Sequence, residues 1–296
     1  MIDLSQLSPM MQHYMETKKE YPDCVLFYRL GDFYEMFFDD ALTVSKELEI
    51  TLTGKDCGLS ERAPMCGVPF HALDSYLYRL VQKGYKVAIA EQMEDPRQAK
   101  GLVKREVIRV VTPGTITSSQ VLDETKNNYL MGIVYMDGIY GISTADISTG
   151  DFMVTEVDSD RELFDEINKF SPSEIICNNA FYMSGVDMDE LKNRYQVVIS
   201  ALDSRFFGEE SCRRILMEHF KVGALVGLGL EDYATGIIAA GAVMQYIYET
   251  QKSTLEHITT ITPYSTGQYM VIDTSTRRNL ELVETMREKQ KRGTLL

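Results

Sequence analysis

The chain has 296 residues, 44% of them hydrophobic and 25% charged. That is the make-up of an ordinary globular protein of one to three domains, and it excludes disorder and collagen-like architecture. The net charge of −14, from 30 basic and 44 acidic residues, argues as a whole-chain figure against nucleic acid, because phosphate contacts need Lys and Arg.

Leu7, Met10, Met11 and Tyr14 recur at helical spacing and predict an opening helix. Residues 24–30 form a β-branched and aromatic run, broken by Gly31-Asp32 and followed by a short strand over 33–38. Asp39 and Asp40 can cap a helix through about Leu48. Residues 63–72, with two prolines and a glycine, read as a rigid non-helical loop of the kind that presents binding groups. Residues 76–83 predict a second amphipathic helix, ended by Gly84, and 87–91 and 106–111 read as strands. The first unit is therefore mixed α/β. Pro113-Gly114 opens a turn and linker.

Beyond the linker, Asp137-Gly138 lies between two β-rich runs, 129–136 and 139–146, which is a strong hairpin signal. Residues 152–157 predict a third strand, 160–170 a helix and 174–177 a further strand. Three meandering strands followed by alternating helix and strand predict a mixed sheet flanked by helices. Residues 233–250 form a long apolar helical stretch. A third segment begins near Ser253, with a charged helical stretch at 276–282. It stops at Leu296 without a cap or stop signal, which reads as a truncation inside a domain.

Several chemistries lack their motif. Gly54-Lys55 is followed by Asp56 and makes no phosphate loop, and neither Gly-x-Gly-x-x-Gly nor Gly-x-Ser-x-Gly occurs. His13, His71, His219 and His257 are scattered without metal-ligand spacing. The five cysteines, Cys24, Cys57, Cys66, Cys177 and Cys212, are odd in number and contain no Cys-x-x-Cys, so reduced thiols are expected. No run of 18 apolar residues predicts a membrane span, and the first residues lack a secretory pattern, which makes the cytosol the expected compartment.

Three features remain as candidates. In the strand Phe33-Tyr34-Glu35-Met36-Phe37, alternation puts Phe33, Glu35 and Phe37 on one face and Tyr34 and Met36 on the other. A carboxylate amid four aromatics is either a solvent-facing side chain or an acceptor beside an exposed apolar wedge, and such wedges can enter DNA base steps. Between Arg79 and Arg109 lie eight basic and four acidic residues, a local excess of +4 in an acidic chain. That stretch, densest at Lys104-Arg105, is either a solvated face or a phosphate-contacting surface. Asp137, Asp146 and Asp151 could pair around Mg²⁺ for nuclease chemistry, but turn formation accounts for Asp137 and Asp151.

The run Phe27-Tyr28-Arg29-Leu30-Gly31-Asp32-Phe33-Tyr34-Glu35-Met36-Phe37 resembles the mismatch-recognition motif of the MutS family of DNA mismatch repair proteins. Residues 64–71, 90–96, 109–115 and 273–281 resemble further segments of that family, in order along essentially the whole chain. The chain resembles only about the first third of a family member. The resemblance implies an α/β fold in three parts and a linker: a mixed-sheet mismatch-recognition domain over 1–113, the linker over 114–126, a ribonuclease-H-like connector over 127–252, and the first helices of an all-α core domain over 253–296. It implies that Phe33 stacks on a mispaired base from the minor groove and that Glu35 hydrogen-bonds that base. Asp32, Tyr34, Lys55, His71, Lys104, Arg105 and Arg109 are the candidates for backbone or groove contacts. The implied partners are mismatched double-stranded DNA and, through the connector, a MutL-type protein. ATP with Mg and a homodimer belong to full-length members. No catalytic residue or cofactor is expected in this chain, because the family's ATPase domain is C-terminal. Two other readings stay open: a partner-docking module in which the Phe33 strand is merely core, and a nuclease using Asp146.

Overall fold

The computed structural model describes residues 4–94, 101, 103–117, 127–252, 254–268, 272, 274–282, 285–287 and 293–295. The chain clusters into two compact units. One comprises Met1–Asn128 with Tyr246–Glu256, and the other Tyr129–Gln245 with His257–Leu296.

The first unit opens with α1 (Pro9–Glu20), where Pro9 starts the helix with its preset φ. Strands β1 (Cys24–Leu30) and β2 (Phe33–Phe37) follow, then α2 (Phe38–Leu48), β3 (Thr53–Lys55), β4 (Ala63–Pro69), α3 (Leu73–Gln82), β5 (Lys86–Gln92) and β6 (Arg105–Val111). They form one six-stranded sheet of order β3-β4-β2-β1-β5-β6. Only the β1–β5 pairing is parallel. Helices cover both faces, and β1 is accordingly buried on both. Val25 and Phe27 pack with Ala41, Val44 and Leu48 of α2 and Leu77, Leu80 and Val81 of α3. Cys24, Leu26 and Tyr28 pack with Met11 and Tyr14 of α1. Burying each large apolar side chain contributes about 1.5–3 kcal/mol, so this central strand anchors the unit.

One segment differs from its sequence reading. Residues 63–69 are strand β4, not a loop, and only Phe70–Ala72 turns, as a short 3₁₀ helix leading into α3. Each proline biases the residue before it toward extended backbone. Pro64 and Pro69 stand near the two strand ends, where a missing N–H costs little of the ladder. Because the 3₁₀ turn feeds straight into α3, that helix begins at Leu73, earlier than 76.

The second unit contains β7 (Tyr129–Met136), β8 (Ile139–Asp146), β9 (Asp151–Val157), α4 (Asp160–Phe170), β10 (Glu174–Cys177), α5 (Asn179–Tyr182), α6 (Met188–Tyr195), β11 (Val198–Ala201), α7 (Glu209–Phe220), α8 (Ala234–Gln251) up to Gln245, β12 (Thr262–Pro263) and α9 (Thr274–Asn279), the rest of α8 counting with the first unit. The sheet order is β11-β10-β7-β8-β9-β12, with β7, β8 and β9 antiparallel and β10, β11 and β12 added in parallel. This is the mixed, helix-flanked sheet expected. Asp137 and Gly138 both take positive φ, the conformation that a two-residue Asp-Gly hairpin turn requires. Leu163, Ile167 and Phe170 of α4 pack on one face with Ile133 and Ile142. On the other, Ile238 and Ala239 of α8 pack with Val134 and Cys212.

The sheet reaches past residue 252, where the sequence reading ended this unit. Thr262 and Pro263 pair with β9, and Thr155 Oγ1 donates to the Tyr264 carbonyl at 2.7 Å. The charged stretch at 276–282 is helical only through Asn279.

Candidate nucleic-acid interface

The candidate site is the open end of the first sheet. Gly31 and Asp32 join β1 to β2 in a two-residue turn, with Leu30 paired to Phe33 across it. Gly31 has φ +59°, the left-handed region that glycine adopts without strain. The Phe70 N–H donates to the Asp32 carbonyl at 2.9 Å and ties this turn to the end of β4. Gly31, Asp32, Phe33, Phe70 and His71 together make an exposed tip.

Along β2, one face passes from covered to open. Phe37 is 1% exposed and meets the Tyr14 ring of α1 edge-on, with centroids 4.9 Å apart. Glu35 is half-buried, and Phe33 is 46% exposed. Helix α1 thus covers the inner end of the face and leaves its outer end free. On the other face Tyr34 and Met36 are buried in the core under α2 and α3.

Gly67 of β4 lies opposite Glu35. A Cβ at that position would stand 3.3 Å from the Tyr34 carbonyl oxygen, 3.5 Å from Glu35 Cγ and 3.8 Å from Phe33 Cδ1. Glycine here therefore lets the ring and the carboxylate stem come in close against β4. The carboxylate itself is held by a cation, because Lys55 Nζ donates to Glu35 Oε2 at 2.5 Å.

Behind the tip, the Arg29 guanidinium lies 4.2 Å from the centroid of Phe70, a stacking distance for a cation on an aromatic face. Glu91 pairs with the same guanidinium at 3.6 Å and accepts the Tyr34 hydroxyl at 3.1 Å. Burial first, and the Glu91 charge second, push the Tyr34 hydroxyl up to about 12, so it stays a donor at neutral pH.

The residues singled out from the sequence fall into distinct environments. Phe33, Asp32 and His71 share the exposed tip, and Glu35 and Lys55 form the adjoining ion pair. Tyr34 is buried. Lys104 is exposed and pairs with Glu106 at 2.6 Å, and that hydrogen bond raises the lysine and lowers the glutamate from their ordinary values. Arg105 is only 7% exposed. It donates to the Arg29 carbonyl at 2.8 Å and the Val103 carbonyl at 2.7 Å, with its guanidinium 5.1 Å from the Tyr28 ring centroid. Arg109 is half-buried, and burial lowers its pKa from the ordinary arginine value, opposed by Asp74.

The basic stretch from 79 to 109 does not gather into one phosphate-facing surface among the described residues. Arg79 donates to the Leu48 carbonyl, Lys83 pairs with Glu47 at 2.8 Å, and Arg105 is internal. Arg97 and Lys100 lie outside the described residues.

In the second unit the acids shape turns. Asp146 is fully buried, and its Oδ1 accepts from Ser148 N at 2.8 Å, Ser148 Oγ at 2.6 Å and Thr149 N at 3.4 Å. Among the described residues no three His, Cys, Asp or Glu side chains gather as a metal site. No described helix is long and apolar enough to cross a membrane.

The family model described as MutS domain I matches residues 8–120, and that described as MutS domain II matches residues 128–259. The DNA mismatch repair protein MutS of Lachnoclostridium phytofermentans is 63% identical over 293 residues, covering 99% of this chain and 31% of that protein. The chain belongs to the MutS family. The MutS proteins of Acetivibrio thermocellus and Clostridium tetani are 53% and 47% identical, over 99% and 98% of this chain and 34% and 32% of their own lengths. The chain spans about a third of the length of the curated MutS relatives it matches, and the part it spans carries MutS domains I and II. The candidate tip lies inside the domain I match.

Sequence reasoning named Phe33 and Glu35 but passed over Gly67, Arg29 and Phe70. A glycine inside an alternating strand is the signal for Gly67, since it marks a close approach. Nothing local announces the Arg29–Phe70 stack, which joins residues 41 positions apart across a strand crossover.

Proposed function

We propose that the first unit reads mispaired bases in double-stranded DNA, with Phe33 as the wedge and Glu35 as the hydrogen-bonding partner of the displaced base. One observation carries this reading: Phe33 is 46% exposed at the open end of a face on which Phe37 is buried under α1. A large ring held on a rigid strand with nearly half its surface open suits insertion at a weak base step. A mispaired base stacks and pairs poorly, so kinking there costs less than in intact duplex, and the protein reads that difference. The ring recovers part of the lost stacking, a contact worth about 1–3 kcal/mol per base in single-strand systems. Glu35 adds an acceptor two residues along the same face. Its negative charge does nothing for general affinity, so its contribution is to discrimination.

In this reading residues 1–113 read DNA, 127–252 together with strand β12 form the connector that receives a MutL-type partner, and the residues after β12 open the core domain. Asp32 and His71 at the tip, and the exposed Lys104 next to Arg105 in sequence, supply sequence-independent contacts, whereas Tyr34 and Arg105 act from inside by fixing the strands. Hydrolysis of ATP with Mg, dimerisation and a cytoplasmic location belong to the whole protein and are carried over from the family. The exposed ring disfavours the reading of the Phe33 strand as core, and the buried, turn-bound Asp146 disfavours a nuclease.

The test is Phe33→Ala in the intact protein, with affinity measured on a mismatched and a matched duplex of otherwise identical sequence. The mismatch preference is expected to collapse. An unchanged ratio overturns the assignment of Phe33 as the wedge.

A further inference from the structure

The Phe33 and Glu35 reading leaves one cation at the site without a role. Lys55 stands on β3, an edge strand, whereas Glu35 stands on β2, with β4 between them. Two strand spacings come to about 10 Å, so the lysine stem must extend across a whole neighbouring strand to reach the carboxylate. It does so, and its ammonium donates to Glu35 Oε2 at 2.5 Å. The same ammonium lies 5.6 Å from the centroid of the Phe37 ring. Its side chain is 33% exposed and that of Glu35 15%. The contact is thus a long-reach, partly desolvated ion pair between non-adjacent strands, one rib of the sheet away from the wedge.

Such a pair changes what the site offers to DNA. A bare carboxylate carried into a minor groove meets phosphates of its own sign. A carboxylate neutralised by an adjoining ammonium does not, yet keeps a second oxygen, Oε1, for a base donor. Lys55 is a half-buried cation with its charge already engaged, which makes it a poor phosphate ligand and a good clamp.

We propose that Lys55 is a positioning residue for mismatch reading: it fixes the Glu35 carboxylate beside Phe33 and cancels its charge, so that the wedge enters the duplex with a neutral pair. This rests on the assignment of Phe33 and Glu35 to the mispaired base. It differs from the expectation that Lys55 touches the DNA backbone, because a clamp acts only through Glu35 and a phosphate contact acts without it.

A double-mutant cycle separates the two. Lys55→Met, Glu35→Gln and the pair together are made in the intact protein. Affinity for matched and mismatched duplex is then measured across a salt series, with Phe33→Ala run in parallel. The clamp predicts that Lys55→Met weakens matched-duplex binding about 5-fold in the parent, from repulsion of the uncovered carboxylate, and under about 2-fold in the Glu35→Gln background. Lys55→Arg, which keeps charge and reach, retains parental binding. A phosphate contact predicts equal losses in both backgrounds and a salt slope reduced by about 0.9 in each, and that result overturns the proposal. If Phe33→Ala keeps the parental mismatch preference, the reading of the site fails and the clamp with it. If Phe33→Ala loses that preference while Lys55 and Glu35 act additively, the clamp alone fails. Should Lys55→Met not fold, Lys55→Gln enters the same cycle and is judged by the same two ratios.

Discussion

Glu35 and Asp146 are both carboxylates in sheet strands, each set among apolar neighbours, and each was a candidate for chemistry. Asp146 is fully buried and spends Oδ1 on Ser148 and Thr149 of its own turn, so two of its donors are backbone N–H groups that cannot leave without unfolding the β8–β9 connection. Glu35 is half-buried and is held by the end of a flexible lysine reaching over from β3. The difference is in the partners. A carboxylate bound by the local backbone is part of the architecture, whereas one held through a single oxygen by a distant side chain, beside a half-exposed ring, keeps its other oxygen for a ligand.

The largest effect that could break this contrast is at Asp146. Replacing it with Ala removes the shared acceptor of three turn hydrogen bonds, and hydrogen bonds to a charged group contribute about 1.5–3 kcal/mol, so a loss of about 2–3 kcal/mol is expected. Urea unfolding of the chain measures it, and a loss below about 0.5 kcal/mol would show that the turn does not depend on this carboxylate. Mismatch preference of the intact protein should not change. Phe33→Ala should behave in the opposite way. Its ring is exposed, so unfolding should shift by no more than about 0.5 kcal/mol, while discrimination falls by about 1–3 kcal/mol. Equal losses of stability and discrimination would place the ring in the core after all.

How much of this was legible beforehand depends on the range of the interaction. The shared face of Phe33 and Glu35 follows from strand alternation, and the Asp137-Gly138 turn follows from the conformational demands of a two-residue hairpin. Neither needs a partner from elsewhere in the chain. The gradient of exposure along that face was not legible, because it depends on where α1 lies over β2. The Lys55–Glu35 pair was hidden for a similar reason, since only the order β3-β4-β2 brings the two within reach. Lys104 and Arg105 look alike in sequence and end in opposite environments. Period-2 alternation along the strand that follows carried that signal, with Arg105 and Val107 buried and Glu106 and Ile108 exposed. The prolines of 63–69 hid a strand because proline near a strand end is compatible with pairing.

A finer probe of the open face is Gly67. Its φ is not in the left-handed region, so a side chain there is opposed by its neighbours and not by the backbone. Gly67→Ala needs only a few tenths of an ångström from the Tyr34 carbonyl. Gly67→Val adds branches toward Phe33 Cδ1 and Glu35 Cγ and should displace them. Overpacking of this kind costs upward of about 1 kcal/mol, here expected in mismatch preference more than in stability because the outer end of the face is free to move. Paired duplex-binding and unfolding measurements decide it, and a valine variant with parental preference would mean that the close approach of Phe33 and Glu35 to Gly67 does not matter for reading.

The smallest effect is expected at Lys104. It is exposed, and its charge is already engaged by Glu106 two residues along the edge strand, an arrangement open to solvent and screened by salt. A lysine contacting phosphate directly contributes about 0.9 to the salt slope of duplex binding. Lys104 must first give up Glu106, so Lys104→Ala should lower the slope by less than that and leave the mismatch ratio alone. Glu106→Gln should act in the reverse direction, freeing the lysine and steepening the slope. If Lys104→Ala instead erodes discrimination, then a surface ion pair on β6 contributes to reading the mispaired base, and the Lys55–Glu35 pair is not set apart by its place beside the ring.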